Sequence, residues 1–134
     1  FEAFKKEMVD ENEKKYGEEI RKKYGEEAVD ASNRKMLKMT EQEYDRFRSL
    51  EDEIRTRLEQ AVLEGKTPDS EEMQAVVALH KEWLMMTWKK YTAEAHVGVG
   101  IMYTADERFK KYYDKEVAGC AELLCAAIKV FCQK

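Results

Sequence analysis

The stretch HVGVGIMYTADERF, His96–Phe109, decides the fold. If a strand led into its two glycines, it would be a phosphate-cradling loop and the chain an α/β protein. A phosphate loop needs a preceding strand, backbone N–H groups free to face the anion, and usually a nearby Lys or Arg. No strand pattern precedes His96, and Tyr103 stands where the third glycine of the spacing would fall. The two glycines are better explained as the small residues of a helix that presses closely on another. Everything around this stretch is then read with a helical period.

Apolar residues recur at helical spacing on both sides, and no strand-like alternation of useful length occurs. Upstream, Thr40-Glu41-Gln42-Glu43 spells a capping box, with the Thr40 hydroxyl accepting from the third helical N–H and Glu43 reaching back. The helix it starts carries Tyr44, Phe47, Leu50 (or Glu51), Ile54, Leu58, Ala61 and Val62 on one face and ends at Gly65. Lys66–Asp69 is a loop, and Asp69 with Glu72 is expected to cap a helix running from Ser70 to Lys90. That helix is apolar on nearly all sides, through Val76, Val77, Leu79, Trp83, Leu84, Met85, Met86 and Trp88. Such a helix lies at the centre of a core or borders a cavity.

Before Thr40, one helix is expected from Phe1 to Tyr24, stopped by Gly25, and a second from Glu26 to Met39. KKYGEE occurs twice, at Lys14–Glu19 and Lys22–Glu27, but the echo does not continue and is no repeat architecture. Gly17 weakens the first helix by about 1 kcal/mol relative to Ala, so its order depends on what it packs against. After the opening stretch, helices are expected over Glu94–Tyr103, from Asp106 onward, and over Glu116–Phe131. The fold class is all-α, five to seven helices with short connections.

Composition agrees. The 134 residues suit a single domain over 1–134, and 39% charged residues beside 43% hydrophobic ones, with one Pro and six Gly, describe solvated helix faces rather than disorder. A net charge of −4 argues against direct binding of nucleic acid or anionic membranes. No apolar run approaches a membrane span, and no signal peptide is evident. A chain that starts at Phe1 rather than Met is expected to be a fragment of a longer one. Cys120, Cys125 and Cys132 lie among Ala, Leu and Ile as small core hydrophobes. In a helix Cys125 and Cys132 stand roughly 10 Å apart, too far for a disulfide, so a reducing, cytoplasmic setting is expected.

Catalytic and metal chemistry find no support. His80 and His96 have no Cys or His neighbour at metal spacing, and each reads as a hydrogen-bonding group of core or pocket wall. Ser32, Ser49 and Ser70 have no nucleophile elbow, and the cysteines lack thiolate-stabilising surroundings. No catalytic residue, metal or cofactor is expected. The remaining signal is the concentration of Trp, Tyr and Met in the second half, which suits either an aromatic core or a pocket for a large, mostly apolar ligand.

Several stretches together resemble the TipAS-type antibiotic-recognition domain of MerR-family transcription regulators. His96-x-Gly98-x-Gly100-x-Met102-Tyr103 followed by Asp106-Glu107-Arg108-Phe109 is similar to that family's His-x-x-x-Gly-x-Met-Tyr and Asp-Glu-Arg-Phe. Tyr16-x-x-Glu19-Ile20-Arg21-x-x-Tyr24-Gly25 resembles its Tyr-x-x-Glu-Val-Arg ending in Trp-Gly. Thr40 with Glu43-Tyr44, and Ala121-x-x-Leu124 through Ala127-Ile128, match further along in the same order. The resemblance implies a globin-like all-α fold with a cleft for large antibiotics such as thiopeptides. It also implies a DNA-binding domain and dimerising coiled coil upstream in full-length regulators, so DNA would be reached only through that absent part, as a homodimer. Some relatives lack the DNA-binding part and simply sequester the drug. Thiopeptide-binding members carry a Cys two residues after the histidine that captures the ligand covalently; here that position is Gly98. The resemblance therefore points to reversible binding of another amphipathic compound.

The expected site has Trp83, Trp88, Tyr91 and Tyr103 as aromatic walls, Met86 and Met102 as adaptable filler, and His96 as a polar anchor. The charged N-terminal helix, with Phe1 and Phe4 as its apolar residues, is expected to act as a lid. The competing reading is a structural or protein-interaction bundle whose aromatic residues are all core.

Overall fold

The structure, a computed structural model, describes residues 1–133. Among these residues there are seven helices and no strand: α1 (Glu2–Tyr24), α2 (Glu26–Lys38), α3 (Glu41–Leu63), α4 (Glu71–Met85), α5 (Ala93–Ala105), α6 (Glu107–Asp114) and α7 (Cys120–Cys132). The fold class expected from the periodicity is observed. No described helix is long and apolar enough to cross a membrane.

The main core lies between α3, α4, α5 and α7. Leu50 and Leu58 of α3, Met73 and Val77 of α4, and Leu124 and Ile128 of α7 are fully buried. Burying each such side chain contributes about 1.5–3 kcal/mol relative to leaving it in water. The buried residues of α3 are Phe47, Leu50, Ile54, Leu58 and Ala61, members of the apolar face read from the sequence. α5 lies directly on α7 at Gly100, where an added Cβ would stand 3.2 Å from Ile128 Cδ1 and 3.4 Å from the Cys125 Cα. One of the two glycines thus has the packing role expected of both. Gly98 instead faces the end of the Lys23 side chain, 3.7 Å from where its Cβ would be.

The helix ends have local causes. Thr40 forms the expected capping box, accepting from the Glu43 N–H at 3.1 Å while its own N–H donates to Glu43 Oε1 at 3.0 Å. α4 is capped by Ser70, whose hydroxyl accepts from Met73 N–H at 3.2 Å. Asp69, expected in that role, instead accepts from the Thr67 hydroxyl. α4 also stops at Met85 rather than Lys90. The Thr87 N–H closes a tight turn onto the Leu84 carbonyl, and Lys35 of α2 donates to the Trp88 carbonyl at 3.0 Å. A tertiary donor thus holds the chain beyond Met85, which lets it turn away and puts Trp88 in the connection. α7 begins at Cys120 rather than Glu116. Gly119 adopts φ 96°, a left-handed conformation that favours glycine, and Asp114 Oδ1 accepts from the Ala121 N–H.

α1 and α2 form a hairpin turned at Gly25, at φ 89°. α1 buries only Lys5, Val9 and Gly17 and is attached by polar ties. Lys5, 1% exposed, donates to the carbonyls of Leu37 and Met39 at 2.7 Å each, satisfying the carbonyl end of α2. Arg21 bonds Glu13 and Asp30, Arg108 of α6 pairs with Glu19, and Lys23 donates to the Gly98 carbonyl. Beneath this hairpin a second small core of Val9, Met36, Met39 and Phe47 meets Trp83 and Met86.

Candidate functional site

Because α1 is fastened by charged ties rather than by a deep apolar face, the space between the hairpin and the main core is not filled. It is a cavity of about 1000 Å³. Met8, Tyr16, Ile20, Tyr24 and Met36 roof it; Phe47, Glu51, Trp83, Leu84 and Trp88 form one wall; Val99, Met102, Tyr103, Phe109, Tyr112 and Tyr113 form the other. The aromatic rings lock one another in place. Phe47 and Trp83 stack at 5.3 Å and 4°, Tyr16 stacks on Phe109 at 4.4 Å, and Tyr103 lies 4.7 Å from Tyr113. Rigid rings of this size present large apolar faces with few rotamers to lose.

Charged residues such as Glu7, Lys15, Arg48 and Lys90 line the exposed mouth, and the polar groups deep in the wall are few. Tyr103 OH lies 3.0 Å from His80 Nε2, His80 Nδ1 is 2.9 Å from His96 Nε2, and His96 Nδ1 is 2.7 Å from Tyr91 OH. With one proton on each neutral ring, donors and acceptors match along this chain of four groups in either direction. Both rings are held neutral. Burial depresses His80 to about 3 and His96 to about 4; a proton on either ring would also face a second positive charge, that of a protonated His96 for His80 and of Lys81 for His96. Burial likewise pushes the Tyr103 hydroxyl well above its usual range. On the opposite wall Glu51 accepts from Trp83 Nε1 at 3.4 Å, and burial raises its carboxyl above the ordinary value.

Of the seven residues singled out in the sequence, Trp83, Trp88, Met102 and Tyr103 line the cavity. Met86 packs under the hairpin against the second core. His96 and Tyr91 stand one ring behind the wall, reaching the cavity through His80. The lining also includes Tyr24, Phe47, Glu51 and Phe109, which sequence reasoning did not select. Phe47 sits at helical spacing with core residues, and nothing in its spacing distinguishes a residue facing core from one facing a cavity. That α1 bears on the site was signalled in the sequence by the Tyr16-to-Gly25 resemblance and by the expectation that the charged N-terminal helix acts as a lid.

No group of three metal-binding side chains occurs among the described residues. The two histidines spend their facing nitrogens on each other. None of the three cysteines lines the cavity, and burial raises the Cys120 thiol to about 11 and Cys132 above its usual value, which disfavours thiolate.

Fold and cavity together define a small all-α domain built around a space of ligand size, walled by aromatic rings. The chain belongs to the TipAS antibiotic-recognition domain family, whose model matches residues 16–131. A solved structure similar to it, from a thiopeptide antibiotic multidrug resistance system of Streptomyces lividans, is TipAS in complex with nosiheptide. That match has 26% identity and a TM-score of 0.75, and covers 90% of this chain and 85% of that one. Comparison with curated proteins gives no match.

Proposed function

We propose that this domain binds bulky amphipathic antibiotics reversibly and without catalysis, and serves as the ligand-sensing part of a cytoplasmic MerR-family transcription regulator. The observation that carries this reading is the aromatic cavity of about 1000 Å³ under the α1–α2 hairpin, in a domain whose structural neighbour is in complex with nosiheptide. The volume is at the upper end of the range typical of drug-sized ligands. Trp83, Trp88 and Tyr103 supply the walls and Met102 the adaptable filler. His96 and Tyr91 act from behind by orienting His80 and Tyr103, and Met86 supports Trp83.

Reversibility follows from Gly98, which offers no sulfur at the position where thiopeptide-binding relatives carry one. DNA contact and dimerisation are assigned to a segment preceding Phe1, and the coding sequence upstream of Phe1 tests that assignment. The binding itself is tested by thermal denaturation with nosiheptide and other bulky antibiotics. At a free concentration of a hundred times Kd, a ligand adds about 2.7 kcal/mol, a clear rise in Tm. Denaturing mass spectrometry of the same mixture should return the unmodified protein mass. A flat melting temperature across the panel favours the bundle whose aromatic residues only pack.

A further inference from the structure

Most charged side chains around the cavity are exposed at its mouth. Two are not. Glu13 is committed to Arg21 and accepts from the Asn33 amide at 2.8 Å. Glu51 is different: its side chain is 20% exposed, and its two partners are both distant. Trp83 Nε1 lies 3.4 Å from Oε1, and Arg48 Nη1, on a side chain 53% exposed, lies 3.4 Å from Oε2. These distances are at the outer limit of hydrogen bonding, so the carboxylate keeps most of its capacity to accept. An ion pair to a half-exposed arginine binds weakly.

The surroundings of Glu51 are aromatic. Trp83 and Phe47 form a parallel stack beside it, and its charge opposes ionisation of Tyr103, Tyr112 and Tyr113. Ring faces carry negative potential and attract cations. In a space of about 1000 Å³, most of whose other charged groups lie at its mouth, a weakly paired, largely buried carboxylate beside the edge of Trp83 therefore sets a negative charge next to apolar walls. We infer that the cavity selects bulky cations whose charge is delocalised or sheltered by apolar groups, with Glu51 as the counter-charge and the Phe47–Trp83 stack as the contact wall. A compact ammonium would surrender a strong hydration shell on entry, whereas a diffuse cation surrenders little. The inference rests on the cavity being a ligand site and adds the charge of the ligand to it.

Tetraphenylphosphonium and tetraphenylborate have nearly the same shape and opposite charge, so together they isolate that term. The chain's two tryptophans, Trp83 and Trp88, both line the cavity, and their fluorescence reports occupancy. The wild-type domain should bind the phosphonium at least about tenfold more tightly than the borate, the scale of a desolvated cation–aromatic contact with a counter-charge. Glu51→Gln should erase the preference, and Arg48→Ala, which removes the competing cation, should increase phosphonium affinity. Equal binding of the two probes, tighter binding of the borate, binding of neither, or a preference that survives in Glu51→Gln each overturns the inference. If Glu51→Gln does not fold, the wild-type comparison and Arg48→Ala decide. A nosiheptide-induced rise in Tm without any charge preference defeats this inference alone and leaves the antibiotic-binding function standing.

Discussion

Gly98 and Gly100 are two residues apart on one helix and meet different neighbours. Gly100 lies against the fully buried Ile128 side chain and, just behind it, the α7 backbone at Cys125, while Gly98 lies against the flexible end of Lys23. Gly100→Ala is expected to destabilise the domain by about 1–3 kcal/mol through overpacking. Gly98→Ala should be neutral or stabilise by up to about 1 kcal/mol, since helix propensity improves and nothing is displaced. Urea denaturation of the two variants checks the pair, and equal losses would contradict this packing. The buried histidines make a second prediction at this scale. Both have folded pKa values depressed below the unfolded value of about 6.5, so the unfolded chain binds protons first as pH falls. Their contribution is fully present above about pH 6.5 and is lost progressively towards pH 4, by about 1.4 kcal/mol per pH unit for each histidine. His96→Gln should reduce that slope in denaturation measured between pH 7 and pH 5.

At the scale of elements, the attachment of α1 is what sets the site apart from an ordinary core. A 23-residue helix that buries three residues has little hydrophobic cohesion with the rest, and its position depends on Lys5, Arg21, Lys23 and the Arg108–Glu19 pair. Lys5 carries the most consequence, because it is fully buried and closes the carbonyl end of α2. Lys5→Ala leaves those carbonyls unpaired and should cost about 1–3 kcal/mol locally. The readout is hydrogen exchange, which should accelerate in residues 2–38 and not in α3 or α7. The Asp-Glu-Arg-Phe run takes on a mechanical meaning here. Asp106 caps α6 and orients Arg108, Arg108 reaches Glu19 of α1, and Phe109 stacks on Tyr16.

For the whole molecule, a hairpin held mainly by polar ties over an apolar base is expected to open before that base does. Such parts are drawn on for ligand gating. A ligand touching both the Tyr16–Tyr24 roof and the Trp83 wall would favour the closed arrangement and shift the population towards it. Amide exchange in residues 1–25 should therefore slow on adding nosiheptide. Equal protection with and without it would sink the lid while leaving binding intact.

The amino-acid sequence by itself determined the class of fold, the helix register and most helix ends, because these depend on near neighbours: apolar spacing of three and four, Thr40 with Glu43, Gly25 after Tyr24. It also placed Trp83, Trp88, Met102 and Tyr103 on the segments that border the cavity. Tertiary structure alone decided the rest. It moved the end of α4 through Lys35, gave Gly98 and Gly100 separate tasks, and chose which aromatic rings face space and which face core. Helical periodicity records only that a side chain leaves water. Whether it meets another side chain or a cavity depends on how the charged hairpin is held over the bundle, through contacts between residues far apart in the chain.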